Sequence, residues 1–216
     1  MDAKGHGLGR GLYALIDDSV LPAAALLDAA RAAAQGGAAV LQLRLKAMPD
    51  PDALALARAV IAAVRPRGTQ VLVNDRADLA LLSQADGVHL GREDLPLGAA
   101  RKVLGPRALI GATVRTVADI DAAREQGADH VGLGPIFATR TKALADAPIG
   151  VERFAQLVAQ SALPVVGISG VALDNIESVA RAGAHCAAVA SDLLCAADIA
   201  ARAALLARAF EVGSAA

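Results

Sequence analysis

The sequence predicts a (β/α)8 TIM barrel, an α/β fold of eight parallel strands, and three observations carry that prediction. Short, almost wholly apolar runs alternate with longer Ala/Leu-rich stretches from one end of the 216 residues to the other. Strands this apolar suit a parallel sheet, whose two faces are both buried. A weak repeat sets the period: "GGAAVLQL", "ADGVHL", "GADHVGL" and "GAHCAAV" each close a helix on small residues and open the next strand. No linker or shift in composition divides the chain. One barrel domain over 12–211 is expected, with flexible tails at 1–11 and 212–216.

Taken in order, the first strand is "LYALI" at 12–16, and its helix spans 22–35, where Pro22 suits the first turn. "AVLQLR" at 39–44 forms the second strand, and a helix over 51–65 follows with Pro51 in its first turn and Asp50 as cap. "QVLVN" at 70–74 precedes a helix at 76–83, and "DGVHL" at 86–90 precedes one at 97–104. The fifth strand is "ALIGA" at 108–112, with Thr116 placed to cap a helix over 116–126. "DHVGL" at 129–133 and "PVVGI" at 164–168 lead to helices at 150–160 and 172–182, the latter beginning near Asp174. "HCAAV" at 185–189 is the last strand, and the helix 196–210 closes the series.

Composition narrows the function. The chain is 55% hydrophobic and carries a net charge of −1, with no Trp, one Tyr and three Phe. Without a basic face or stacking aromatics, nucleic acid is not a partner. Cys186 and Cys195 lack the short spacing of a zinc or redox motif and read as buried, reduced thiols. The segment "MDAKGHGLGRG" has no apolar signal core, and no run reaches the roughly 18 apolar residues of a spanning helix. No membrane partner and a cytoplasmic location are expected. Oligomeric state is left open, a homo-oligomer included.

In this fold chemistry sits where the strands end, on the loops that follow them. The polar residues there are Asp17 and Asp18; Gln42, Arg44 and Lys46; Asn74, Asp75 and Arg76; Gly91–Asp94; Thr113 and Arg115; Thr139–Lys142; Ser169 and Gly170; and Ser191 and Asp192. "QLRLK" sets Gln42, Arg44 and Lys46 at alternating positions, so all three share the inner face near the mouth. Two cations there call for an anion, unless the strand end is a solvated face. Asp75 and Asp94 top adjacent strands and could hold one Mg²⁺, or could cap the helices that follow. "VVGISGV" and "AAVASD" end strands 7 and 8, where Gly170, Ala190 and Ser191 let backbone N–H groups approach a phosphate, unless they serve only tight packing at the rim. "GPIFATRTK" at 134–142 puts two hydroxyls and two cations on one loop between these stations, which also suits an anion. His89 and His130, in or at strands, read as buried histidines with their hydrogen bonds satisfied.

Those stations together resemble thiamine-phosphate synthase over about residues 12–210. The family's Gln-Leu-Arg-Glu-Lys is similar to "QLRLK", and its Asn-Asp to "ND" at 74–75. Its His-Leu-Gly-Gln-Glu-Asp is similar to "HLGRED" at 89–94, and its Gly-Pro-Ile-Phe-Pro-Thr-x-Thr-Lys to "GPIFATRTK". The resemblance implies a transferase that joins hydroxymethylpyrimidine pyrophosphate to hydroxyethylthiazole phosphate, with Mg²⁺ as cofactor. It assigns Gln42, Arg44, Lys46 and Asn74 to the pyrimidine pyrophosphate, and Asp75 and Asp94 to the metal. Thr113 stands where the family has a Ser touching the pyrimidine. Thr139 and Thr141 bind the thiazole phosphate with Gly170, Ala190 and Ser191, and Lys142 supports the leaving pyrophosphate, so that Lys142, Arg44 and Lys46 carry the catalysis. The chain departs from the pattern at Leu45, Ala138, Arg140, Ser169 and Asp192. A thiazole tautomerase and an inactive phosphate-binding barrel are the rival readings.

Overall fold

A strand buried on both faces must be matched by two cores, and the computed structural model, which describes residues 7–138 and 147–215, contains both. Eight strands, β1 (Gly11–Asp17), β2 (Val40–Arg44), β3 (Gln70–Asn74), β4 (Gly87–Leu90), β5 (Leu109–Val114), β6 (His130–Leu133), β7 (Val165–Gly167) and β8 (Cys186–Val189), pair in parallel and in chain order, and β8 closes on β1. Outward residues such as Leu41, Leu43, Val71 and Val73 join the large core beneath the helices. The inward set, Tyr13, Val40, Leu72, Leu109, Val166, Cys186 and Ala188, fills the barrel itself. Alternation thus sorts each strand into an outer apolar face and an inner face free to turn polar near the top.

The helices are α1 (Ala23–Gln35), α2 (Asp50–Val64), α3 (Ala77–Ser83), α4 (Leu97–Leu104), α5 (Val117–Glu125), α6 (Gly150–Val158), α7 (Ile176–Arg181), the single turn α8 (Ser191–Leu194) and α9 (Ile199–Ser214). Thr116 caps α5 in a reciprocal capping box with Asp119, as its position predicts. Asp50 does not cap: it lies inside the first turn of α2, with Pro49 at the cap. α7 begins later than Asp174, and the helix expected from 196 begins only at Ile199, because the Asp198 side chain accepts the Ala201 N–H and caps α9; the turn α8 lies ahead of the expected span.

The repeat in the sequence has a structural meaning at the floor of the barrel. Asp86, ahead of β4, accepts the Val71 N–H at 2.7 Å, and Asp129, ahead of β6, accepts the Ile110 N–H at the same distance. Each carboxylate ties its strand to the neighbour at the end away from the mouth. The floor also takes in residues expected to be tail: Leu8 is buried, Gly9 N–H donates to Gln70 Oε1, and Cys186 Sγ donates to the Gly9 carbonyl. At the other end α9 runs through Ser214, beyond the expected limit of 211. Cys186 is buried, but Cys195 is exposed, against the expectation for both thiols. Among the described residues no helix is long and apolar enough to cross a membrane.

Candidate active site

At the C-terminal ends of the strands lies a cavity of about 240 Å³, and seven of the predicted site residues line it: Gln42, Arg44, Asn74, Thr113, Gly170, Ala190 and Ser191. Its lower wall is a chain of polar groups across β1, β2 and β3. Tyr13 Oη donates to Gln42 Oε1 at 2.6 Å, and Gln42 Nε2 donates to Asn74 Oδ1 at 2.7 Å. Burial pushes the Tyr13 phenol well above its ordinary pKa, so it stays a donor. With its oxygen occupied, Asn74 presents its NH₂ as donor.

Above that wall the side chains are charged and already paired. Arg44 Nη1 lies 3.0 Å from both oxygens of Asp17, which is 2% exposed and also accepts the Ser19 hydroxyl. Asp18 accepts the backbone N–H groups of Lys46, Ala47 and Met48, which fixes the loop after β2. Lys46 forms an ion pair with Asp75. Leu45, the departure between these cations, packs outward against the helix-covered core. Arg76 is a brace on the rim, bonded to Asp50 and Asp78.

Neither Asp75 nor Asp94 caps a helix: α3 and α4 begin at Arg76 and Pro96 with no side-chain cap. The two carboxylates instead meet. Burial, with the Asp94 carboxyl alongside, raises the Asp75 pKa from its ordinary value, although Lys46 works against this. For Asp94, burial opposes ionisation, but hydrogen bonds from Asp75 and the Gly91 N–H, with Lys46 nearby, outweigh it and hold the pKa low. Asp75 also sits in the left-handed region at φ 63°, where a non-glycine residue is strained. Two facing carboxylates of unequal acidity fit a divalent cation that draws its remaining oxygens from ligand and water. Among the described residues no group of three or more His, Cys, Asp or Glu is placed to hold a metal alone.

The opposite rim, over β7 and β8, is built from backbone. Ser169 and Gly170 are both left-handed, at φ 72° and 69°. Gly170 has no room for a side chain, since a Cβ would stand 2.4 Å from the Ala138 carbonyl oxygen. Asn175 holds the turn by donating to the Gly170 carbonyl and accepting the Ala172 N–H. Asp192, the unexpected carboxylate here, is bound to Arg202 at 3.3 Å and accepts the Leu173 N–H. Thr139, Arg140, Thr141 and Lys142 lie outside the described residues.

Sequence reasoning missed parts of this site. Asp17 and Asp18 stood out only as polar strand ends; the parallel register that sets Asp17 beside Arg44 gives the first its partner. Tyr13 and Arg115, which also line the cavity, gave no signal beyond an inward position and a strand end. Of the two histidines, His89 is buried with both ring nitrogens partnered, as expected, though it also lines the cavity, with Nε2 3.1 Å from Thr113 Oγ1; His130 needs correcting, since it is fully buried but its Nδ1 has no hydrogen-bond partner among the described residues.

Residues 12–193 match the protein family described as thiamine monophosphate synthase. A thiamine-phosphate synthase of Myxococcus xanthus (strain DK1622) is 56% identical over 206 residues, covering 95% of this chain and 94% of the relative. One from Anaeromyxobacter dehalogenans (strain 2CP-C) is 52% identical over 187 residues, covering 87% and 84%. Among solved structures, a thiamine phosphate pyrophosphorylase from Pyrococcus furiosus superimposes with a TM-score of 0.85 at 31% identity, covering 94% of this chain and 96% of that one.

Proposed function

This chain belongs to the thiamine monophosphate synthase family, and on that premise we propose how its barrel mouth divides the work of the reaction. The enzyme is a transferase that condenses hydroxymethylpyrimidine pyrophosphate with hydroxyethylthiazole phosphate, giving thiamine phosphate and pyrophosphate. The bond from the pyrimidine methylene to pyrophosphate oxygen breaks, and a bond from the same carbon to the thiazole nitrogen forms. Negative charge gathers on the departing oxygens, so catalysis is mainly the stabilisation of a leaving anion.

Arg44 and Lys46 grip the pyrophosphate, exchanging their carboxylate partners Asp17 and Asp75 for it as it binds. Lys142 joins them as charge builds. Asp75 and Asp94 hold Mg²⁺, which when bound neutralises charge on the leaving pyrophosphate. Gln42, Asn74 and Thr113 orient the pyrimidine. Thr139 and Thr141, with backbone groups at Gly170, Ala190 and Ser191, bind the thiazole phosphate without adding charge. Both substrates are phosphorylated and membrane-impermeant, which supports a cytoplasmic place for the enzyme.

The observation that carries this reading is the meeting of Asp75 and Asp94 beside the Lys46 ammonium. A tautomerase, which releases no pyrophosphate, has no use for that cluster. The test is turnover with both substrates, with Mg²⁺ and after chelation. Equimolar thiamine phosphate and pyrophosphate, formed only when metal is present, is the expected result. Absence of product at any Mg²⁺ concentration points to the inactive barrel, and turnover that survives chelation removes the metal from the assignment.

A further inference from the structure

Three polar side chains from adjacent strands form a line that ends at the cavity wall. Thr113 of β5 and His89 of β4 face the cavity, and His130 of β6 lies behind them. His89 Nε2 is 3.1 Å from Thr113 Oγ1, and His89 Nδ1 is 3.4 Å from His130 Nε2. The rings are tilted by 35° with centroids 5.6 Å apart. Gly111 makes the junction possible, because a Cβ there would stand 2.1 Å from His130 Nε2 and 2.5 Å from His89 Nδ1. Gly132 leaves the space under His89 in the same way, with a Cβ placed 2.9 Å from Cε1.

Both imidazoles are buried, His130 completely, and burial favours the neutral ring. Each ring therefore carries one proton, and the contact between them needs one donor and one acceptor. Two arrangements meet that condition. In the first, both rings are protonated on Nδ1; His89 donates to His130, Thr113 donates to His89, and His130 Nδ1–H is a buried donor with nothing to receive it. In the second, both rings are protonated on Nε2; His130 donates to His89, His89 donates to Thr113, and the unpartnered atom is a lone pair. Buried N–H groups without partners are the rarer defect, so the second arrangement is favoured.

We propose that His130 locks His89 in its Nε2–H tautomer, and that this turns the Thr113 hydroxyl proton toward a ring nitrogen of the pyrimidine substrate. A ring nitrogen can only accept a hydrogen bond. In the opposite tautomer Thr113 spends its proton on His89 and meets that nitrogen with a lone pair. His130 is thus a positioning residue that acts through two others and touches no substrate. The inference rests on the reading that Thr113 faces the pyrimidine, and the test separates the two.

Side-chain ¹⁵N–¹H correlation spectra of the whole protein distinguish Nε2–H from Nδ1–H imidazoles. Both His89 and His130 should appear as Nε2–H; finding both as Nδ1–H overturns the proposal. His130→Phe should release His89 from a single tautomer and raise KM for pyrimidine pyrophosphate about tenfold, the size of one hydrogen bond, leaving KM for thiazole phosphate unchanged. His130→Gln, which keeps an N–H donor, should recover most of that loss. In a Thr113→Val background His130→Phe should add nothing more. A rise in KM for both substrates would show a merely structural role and overturn the proposal. If His130→Phe does not fold, the spectra of the unaltered protein still decide the tautomer. If those spectra show Nε2–H but Thr113→Val leaves the pyrimidine KM alone, the lock stands and the placement of Thr113 against the pyrimidine falls.

Discussion

The two sides of the barrel mouth prepare for anions by opposite means. Between β1 and β4 the polar groups are charged side chains bonded to one another: Arg44 to Asp17, Lys46 to Asp75, and Asp75 to Asp94. Over β7 and β8 they are backbone groups around Ser169 and Gly170, and the nearby carboxylate of Asp192 is tied to Arg202. On the proposed reading the first side exchanges partners, swapping internal ion pairs for an incoming pyrophosphate and cation and recovering them on release. Such pairs also spare the empty site two uncompensated cations. The second side has fixed donors and little to exchange, which suits a phosphate that is gripped through the reaction and never cleaved. On that proposal, the side from which an anion departs is the one built from ion pairs.

The strongest blow to this contrast falls on the carboxylates. Asp75→Asn or Asp94→Asn should lower kcat/KM by about 10²–10³-fold at fixed Mg²⁺, read in a titration of activity against the metal. The same Asp75→Asn change should raise the melting temperature of the metal-free protein. The sign follows from linkage. The folded-state pKa of Asp75 is raised, so its contribution to stability is fullest below the ordinary carboxylate pKa and is lost as pH rises through the higher folded value. At neutral pH the ionised group is a cost, and Asn removes it while tolerating φ 63°. A melting temperature that falls would mean that the pair is braced by Lys46 and not strained.

Next comes Lys142, where Lys142→Ala should reduce kcat by roughly 10²-fold, whereas Thr141→Val should act on KM for thiazole phosphate. If both variants move one parameter for one substrate, the "GPIFATRTK" loop does not divide its labour between the two anions. On the backbone side, Gly170→Ala forces a Cβ within 2.4 Å of the Ala138 carbonyl oxygen and 2.7 Å of the Phe137 Cβ. KM for thiazole phosphate should rise about tenfold, and stability should drop by about 2 kcal/mol, measured by denaturant unfolding. The smallest effect belongs to Asp192→Asn. Because Arg202 and the Leu173 N–H already hold that carboxylate, its charge should change phosphate binding less than about twofold. A large gain in affinity would show that it repels the substrate after all.

What the sequence made legible follows from which interactions are periodic. The strands were readable because both faces of each are buried, and alternation alone sent Gln42 and Arg44 inward and Leu45 outward. The pairing of Arg44 with Asp17 depends on the register between β1 and β2, which no local pattern encodes. The choice between capping and meeting for Asp75 and Asp94 turned on the loop geometry after β3 and β4. His130 was invisible as anything but a core residue, because its partner is a histidine 41 residues away on another strand. The later start of α9 had a local signal, the capping Asp198, which the helical run around it concealed.

The seam between β1 and β8 is the one strand pairing that must wait for the end of the barrel. Gly11 through Ala14 pair with Cys186 through Val189, and Cys186 Sγ reaches the Gly9 carbonyl across 177 residues of chain. Every other pair of strands joins neighbours in sequence. On the ribosome β1 to β7 can therefore associate one after another as they emerge, but the curled sheet keeps two bare edges until the last eighth of the barrel is synthesised. Ring closure is the long-range, slow step of biogenesis. Until it happens the two unpaired edges are open to pairing with any other strand in reach.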